Sequence, residues 1–235
     1  MKNTTLEENI ALWRERIGNA SARWGGAEIC AVTKTVDVDT INRAVAAGLT
    51  TLGENRVQEY LSKADRLDPA AHVHLIGRLQ TNKVRQIVGR VAMVQSLDRD
   101  ELAAEMSRRA TAAGIVLPAL IEVNIGREPQ KGGVDEDELP AFVRRAAALP
   151  GIRIDGLMAV MPFVDDPEEV RPLFRRMREW FERLRDEDLP NAPMRVLSMG
   201  MSGDCIVAAE EGATMVRLGR ALFGERPSKT EIQGG

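Results

Sequence analysis

Eight short runs of apolar, β-favouring residues alternate along this chain with longer segments of helical periodicity, and this alternation is its most constraining feature. Such repeated βα units are typical of a parallel sheet covered by helices. Eight units favour a closed (β/α)8 barrel, because closure leaves no unpaired edge strand. The predicted strands are residues 29–33, 51–53, 73–77, 91–96, 118–124, 154–161, 195–199 and 214–219.

A helix is predicted before the first strand. Thr5 and Glu8 have the spacing of a capping box, which marks a helix start. An apolar stripe at helical spacing follows, made of Leu6, Ile10, Trp13 and Ile17. We therefore predict an α/β protein: a single TIM-type barrel domain over residues 26–224, an extra leading helix within 1–25, and a flexible tail at 225–235.

A doubly wound open sheet is the alternative architecture. Its first strand is usually followed by a glycine-rich turn, whereas here the turn reads Thr33, Lys34, Thr35, Val36. The chain also has no G-x-G-x-x-G sequence and no phosphate-loop motif. The closed barrel is therefore the better prediction.

The charge balance argues against nucleic acid as a partner. The 235 residues include 32 Lys plus Arg and 35 Asp plus Glu, so no overall positive field attracts DNA or an anionic membrane. Cys30 and Cys205 are far apart, which suggests neither a disulfide framework nor a zinc site. The amino-terminal sequence lacks the apolar core of a signal peptide, so we expect a cytoplasmic protein that binds a small ligand.

Lys34 is the first candidate functional residue, because ligand sites of barrels are built where strands end. The apolar strand before it places the stem of the side chain beside the barrel core. Partial desolvation there disfavours the ammonium form and frees an amine that can form a Schiff base. The alternative is a solvated lysine at the rim.

A second candidate is the loop of residues 198–204, after the seventh strand. Its glycines, including Gly200, let the backbone approach a ligand, and Ser198 and Ser202 supply hydroxyl groups. Barrels often hold phosphate after strands seven and eight, where Gly219 and Arg220 follow the last strand. The loop therefore resembles an anion site, although a tight turn with a capping residue explains it equally well.

Arg217 is the third candidate, since a charged residue inside an apolar strand must face solvent or meet a buried acceptor. The unprotonated nitrogen of a pyridine ring suits this position. Such a pairing weakens the ring as an electron sink and argues against broad carbanion chemistry. The alternative is a structural ion pair with Glu54 or another acid.

Five strings in this order resemble the pyridoxal phosphate homeostasis proteins, a family related to the amino-terminal barrel of alanine racemase. They extend over most of the chain, and with the leading helix the resemblance reaches Gly224. The strings are AVTKT (31–35), GENRVQE (53–59), HLIGRLQTNK (74–83), SMGMSGD (198–204) and MVRLGRALFG (215–224).

The resemblance implies a barrel that holds pyridoxal 5′-phosphate (PLP) as an aldimine on Lys34, with Asn55 near the ring and Arg217 facing the pyridine nitrogen. It also implies phosphate contacts from Ser198, Ser202 and the Gly219 region. The implied role is to hold and deliver the cofactor, and so to influence vitamin B6 and amino-acid balance. We expect a monomer without catalytic residues or a metal site, with PLP-dependent client enzymes as partners.

Three arginines depart from the family pattern, each adding positive charge near the expected mouth of the barrel. Arg56 stands where the family often has Tyr, Arg78 where it often has Pro, and Arg220 where it often has Thr. Arg220 removes a side-chain hydroxyl but adds a guanidinium that suits phosphate. Lys131 also resembles a family lysine, although a solvated loop residue is the better interpretation.

The main alternatives are two classes of enzyme, one that depends on PLP and one that forms a Schiff base through a lysine. An amino-acid racemase needs a second base on the opposite face of the substrate, a role that a tyrosine fills in alanine racemase. The only tyrosine here, Tyr60, is predicted to pack in the helix after strand two. A Schiff-base aldolase would need a proton shuttle beside Lys34, such as Glu54. Both enzymes are therefore less favoured than a carrier.

Other classes are weaker still. His72 and His74 are the only histidines and fall at the start of strand three, on the wrong side for a metal hydrolase. The sequence at 200–204 is not the G-x-S-x-G of a serine hydrolase. The arginines of 171–185 are mixed with glutamates, which indicates a solvated helix face rather than a nucleic-acid site.

Overall fold

The structure is a computed structural model that describes residues 5–128, 130 and 132–224. Its eight strands are parallel, pair in chain order, and close where the last strand pairs with the first. The predicted (β/α)8 barrel is confirmed, and every predicted strand overlaps an observed one. The strands are β1 (Glu28–Val32), β2 (Thr51–Glu54), β3 (His72–Leu75), β4 (Met93–Leu97), β5 (Leu117–Val123), β6 (Ile152–Ala159), β7 (Val196–Ser198) and β8 (Met215–Leu218).

In the part of the chain that the structure describes, helices surround the barrel, and one of them precedes the first strand as predicted. The first helix begins with the predicted capping box, in which Thr5 and Glu8 satisfy each other's backbone N–H groups. The helices are α1 (Leu6–Ser21), α2 (Val38–Ala46), α3 (Val57–Lys63), α4 (Val84–Ile87), α5 (Asp100–Ala112), α6 (Leu139–Ala147), α7 (Arg171–Asp186), α8 (Cys205–Glu210) and α9 (Arg220–Phe223).

The main core lies between the sheet and the helices. Helix α7 shows how it forms: Phe174, Met177, Phe181 and Leu184 recur at helical spacing and are all buried. This stripe packs the helix against β6 and β7. Because each strand's outward side chains meet such a stripe, the helices fix the sheet and leave the inward side chains to build the interior.

The interior of the barrel changes from apolar to polar toward the carboxyl ends of the strands. Met93, Leu120 and Met158 form a buried apolar cluster inside it. Arg217 is buried next to this interior, near the carboxyl end of β8. The polar end of the barrel is therefore the mouth, where parallel strands deliver their terminal residues together.

Among the described residues, no helix combines the length and apolar character needed to cross a membrane. Lys131 and the predicted flexible tail, 225–235, lie outside the described residues.

Candidate functional site

A cavity of about 730 Å³ opens at the mouth of the barrel. It is lined by residues after β1, β6, β7 and β8, so four strand ends contribute to one site. Its outer wall carries Phe163, which is 93% exposed on the loop after β6. The polar residues that line it are Lys34, Asp165, Ser202, Asp204, Arg217 and Arg220.

Lys34 lies in a tight turn at the end of β1 and is half-buried against the cavity. The turn is closed by a hydrogen bond of 3.1 Å from the Val36 N–H to the Thr33 carbonyl. Thr35, the next residue, has a left-handed φ of 63°. The turn directs the chain away from the strand and leaves Lys34 at the wall of the cavity.

Asn55 follows β2, the strand next to β1. Its Oδ1 atom is buried and has no hydrogen-bond partner among the described residues. Gly77 makes this approach of the chains possible, because a Cβ there would lie 2.3 Å from the Asn55 carbonyl oxygen. A buried acceptor without a partner is costly. Asn55 is not among the residues that line the cavity, so its predicted contact with a ring stays a prediction.

Arg217 is only 4% exposed, and its guanidinium is held by uncharged oxygens. Nη1 donates to Ser198 Oγ at 2.7 Å, and Nη2 donates to the Ala159 carbonyl at 2.8 Å. Burial lowers the pKa of Arg217, but an arginine keeps its charge in proteins. The alternative ion pair with Glu54 is not found, because Glu54 pairs with Lys63 instead.

A chain of hydrogen bonds continues from Arg217 into the barrel. Ser198 Oγ donates to Gln95 Oε1 at 2.7 Å, and Gln95 Nε2 lies 2.9 Å from His74 Nδ1. An amide nitrogen only donates, so His74 Nδ1 must accept and the ring is neutral. Burial lowers the pKa of His74 to about 4, which agrees with this neutral state.

Ser198 and Gly200 therefore have structural contacts of their own. Ser198 is fully buried beneath Arg217 and orients its guanidinium. Gly200 has φ of 88°, and a Cβ there would lie 2.5 Å from the Cβ of Ala208 in α8. Its carbonyl accepts the Arg217 N–H at 2.9 Å. The predicted contacts of both residues with phosphate stay predictions.

The two predicted halves of the anion site lie side by side. The Ala221 N–H at the start of α9 donates to Ser202 Oγ at 3.3 Å, which joins the loop after β7 to the loop after β8. Ser202, Gly219 and Arg220 all line the cavity. Asp204 stabilises the first loop by accepting the Met201 N–H at 2.6 Å, and burial raises the pKa of its carboxyl group.

An acidic group that the sequence reading missed faces the same interior from β5. Burial and the nearby Asp98 raise the pKa of Glu122 to about 7, although Arg217 and Arg78 act in the opposite direction. The exposed Arg78 lies 3.7 Å from Asp98, measured from Nε to Oδ2.

The three arginines that depart from the family pattern lie in different places. Arg220 lines the cavity, Arg78 pairs with Asp98, and Arg56 is exposed before α3.

The residues considered for other reactions lie away from the cavity. Tyr60 is buried in α3 and donates its hydroxyl to the Arg90 carbonyl at 2.6 Å, so its predicted packing role is confirmed. Glu54 accepts from Thr33 and Lys63 and does not line the cavity. Burial raises the pKa values of Cys30 and Cys205 to about 12, which makes both thiols unreactive.

Metal and nucleic-acid sites find no support in the described part of the chain. No cluster of three or more His, Cys, Asp or Glu side chains is placed there to hold a metal ion. On α7, Arg171 and Arg175 pair with Glu211, and Arg176 pairs with Glu136. These arginines join neighbouring helices and do not form an unpaired basic surface.

Comparison with known proteins identifies close relatives over nearly the whole chain. The family model described as the alanine racemase N-terminal domain matches residues 3–227. The pyridoxal phosphate homeostasis protein of Aquifex aeolicus is 46% identical over 224 residues, which cover 93% of this chain and 97% of that protein. The protein of the same name from Pseudomonas aeruginosa is 37% identical over 95% of this chain and 96% of its own length.

Solved structures show the same similarity. PipY of Synechococcus elongatus with PLP bound has a TM-score of 0.83 and 32% identity, over 94% of this chain and 100% of that one. The same protein without PLP gives a TM-score of 0.85 and 33% identity over the same shares. Alanine racemase from Corynebacterium glutamicum shares the fold alone, with 18% identity and a TM-score of 0.69 over 95% of this chain and 62% of that one.

Proposed function

Because this chain belongs to the alanine racemase N-terminal domain family, and within it to the pyridoxal phosphate homeostasis proteins, we propose that it binds PLP at the mouth of its barrel. It thereby takes part in the homeostasis of this vitamin B6 cofactor and of amino acids. The observation that carries the proposal is that Lys34 and Arg217 line one cavity together with the loops after β7 and β8.

The cavity fits the cofactor in size and in chemistry. A volume of about 730 Å³ is in the ordinary range for small-molecule sites. Asn55 does not itself line the cavity, but its buried Oδ1 atom has no partner among the described residues and would accept a hydrogen bond from a ring hydroxyl. Arg220, the Ser202 hydroxyl and the backbone at Gly219 supply donors of the kind that a phosphate needs.

Lys34 supplies the covalent attachment in this proposal. When bound, PLP supplies an aldehyde carbon that accepts an amine. Lys34 would hold the cofactor through its Nζ atom, and this attachment would release one water molecule. The half-buried lysine stem lies against the wall of the cavity, which would place the amine beside a bound ligand.

Arg217 limits what the bound cofactor does. Its guanidinium has only donors and remains charged, so a pyridine nitrogen that faced it would stay unprotonated. Ser198 and the Ala159 carbonyl hold the guanidinium in place. An unprotonated ring withdraws electrons weakly, which suits retention of the cofactor better than amino-acid chemistry.

We further propose that the protein is a carrier without a turnover reaction. Racemisation by the two-base route needs a second base above the substrate, and Tyr60 is held on the outer side of the sheet by Arg90. Further predictions accompany this proposal. They are a single barrel domain over 26–224, a monomeric state, a cytoplasmic location, and delivery of PLP to client enzymes without nucleic-acid binding.

Titration of the purified protein with PLP tests the proposal. We expect a visible absorption band that saturates at one cofactor per chain, and activation of a cofactor-free PLP enzyme by the loaded protein. Amino-acid racemase assays on the same preparation should stay at the level of the protein-free control. Racemisation at a rate typical of enzymes, about 1 s⁻¹ or faster, would contradict the carrier role.

A further inference from the structure

The turn that carries Lys34 is strained at the next residue. Thr35 has φ of 63°, a left-handed conformation that β-branched residues rarely adopt. Such strain persists only when surrounding contacts hold it, and it is often found at functional sites. The contacts that hold Thr35 therefore also determine where the preceding side chain, Lys34, begins.

One ion pair on α3 holds the peptide groups on both sides of Lys34. Lys63 Nζ donates to the Thr33 carbonyl at 2.9 Å. Glu59 Oε1 accepts the Thr35 N–H at 2.5 Å and also accepts from Lys63 Nζ at 2.7 Å. The residues before and after Lys34 are thus tied to the same pair of side chains.

The pair is itself anchored in a buried network. Lys63 Nζ reaches Glu54 Oε1 at 3.2 Å, and Thr33 Oγ1 donates to that same oxygen at 2.7 Å. The side chains of Lys63 and Glu54 are 9% and 1% exposed, whereas Glu59 is 23% exposed. This burial separates the network from the solvated i,i+4 pairs of helix surfaces, which rarely order anything else.

We propose that Lys63 and Glu59 are positioning residues that fix the turn around Lys34, and so aim its amine into the cavity. This inference rests on the proposed attachment of PLP to Lys34. Bond formation to a held cofactor needs the amine close to a fixed direction, and small displacements lower its rate and equilibrium. Neither Lys63 nor Glu59 lines the cavity, so both act through the backbone of the turn.

The test compares Lys63→Met and Glu59→Ala with the wild-type protein. Each variant should bind PLP about tenfold more weakly and be trapped by borohydride more slowly. Without PLP, the peptide that contains residues 33–36 should exchange its amide hydrogens faster. Glu59→Ala is the safer variant for folding, because the side chain of Glu59 is more exposed than those of Lys63 and Glu54.

Arg153→Met is the matched control. It breaks the partly buried Arg153–Asp155 pair at the opposite end of the barrel and should change neither PLP affinity nor exchange at 33–36. A rescue variant separates positioning from general destabilisation: Thr35→Gly adopts the same turn without strain. Added to Glu59→Ala, it should recover at least half of the lost affinity.

The outcomes decide the inference separately from the proposed function. If folded Glu59→Ala and Lys63→Met bind PLP with wild-type affinity and exchange at the wild-type rate, the positioning role is overturned. Equal losses in Arg153→Met, or no rescue by Thr35→Gly, also overturn it. Attachment of PLP at a residue other than Lys34 in the wild-type protein would contradict the proposed function instead.

Discussion

Arg217 donates a hydrogen bond of 2.7 Å to Ser198 Oγ, and this contact joins the last two strands of the barrel beneath the mouth. Ser198 Oγ in turn donates a hydrogen bond of 2.7 Å to Gln95 Oε1 on the far side of the interior. The guanidinium is therefore aimed by a chain of uncharged groups, which leaves its positive charge for the cavity.

Ser198→Ala should weaken PLP binding without unfolding the barrel. The substitution removes one of the two acceptors that hold the Arg217 guanidinium, and a hydrogen bond to a charged group contributes about 1.5–3 kcal/mol. We expect a loss of affinity of about tenfold in a spectroscopic titration. Ser107→Ala is the control, since Ser107 on α5 donates a partly buried hydrogen bond of 2.6 Å to the Pro150 carbonyl, away from the mouth. Equal affinities in the two variants would contradict the role of Ser198.

His74 should make the protein less stable as the pH falls. Its folded pKa is about 4 and its ordinary value is 6.5, so the unfolded chain binds a proton in this window and the folded chain does not. The free energy of unfolding therefore falls between pH 6.5 and 4. In urea unfolding without added PLP, the decrease from pH 6 to 5 should be roughly 1 kcal/mol smaller for His74→Gln than for the wild type. Identical decreases would exclude a neutral His74 as the cause.

Glu122 should have the opposite dependence. Its pKa is raised from 4.5 to about 7, so the folded chain holds a proton that the unfolded chain has lost. This contribution to stability is present at low pH and disappears as the pH rises through 7. Relative to the wild type, Glu122→Gln should gain roughly 1 kcal/mol per pH unit between pH 5 and 6.5. A constant difference over this range would show that Glu122 is ionised throughout.

Thr35→Gly should raise the stability of the protein. Glycine adopts a φ of 63° without the clash that threonine suffers, and Thr35 is exposed, so little packing is lost. We expect an increase of about 1 kcal/mol in the free energy of unfolding. Thr40→Gly, at a half-buried position in the first turn of α2, should instead destabilise. A destabilised Thr35→Gly variant would show that the turn is not strained.

The strand order and the mouth residues were predictable from the sequence, because both follow from local periodicity. A run such as 29–33 ends where its apolar residues end, and parallel strands bring all such ends to one face. Lys34, Ser202, Arg217, Gly219 and Arg220 therefore reach the same cavity. Their individual contacts with PLP stay predictions.

The hydrogen-bond partners were not predictable in the same way. Gln95 meets Ser198 only because the closed barrel brings β4 and β7 across from each other, at a separation of 103 residues. The one signal available was that Gln95 and Ser96 interrupt an apolar fourth strand. A buried glutamine needs partners, but strand periodicity alone does not name them.

Lys63 and Glu59 were missed for a different reason. Their i,i+4 spacing on a helix is the ordinary pattern of a solvated surface pair, to which sequence reasoning assigns no function. Only the close approach of α3 to the end of β1 buries the lysine under the turn. The sequence shows the spacing of such a pair but not what packs over it.

Borohydride reduction of the PLP-loaded protein, followed by peptide mass mapping, tests the central claim most directly. The reduced C–N bond preserves the site of attachment through proteolysis. We predict that the phosphopyridoxyl mass is found on the peptide that contains Lys34, and that Lys34→Ala loses both this mass and the visible absorption band. If the mass is found on another lysine, or if Lys34→Ala retains the band of the wild-type protein, attachment through Lys34 is contradicted.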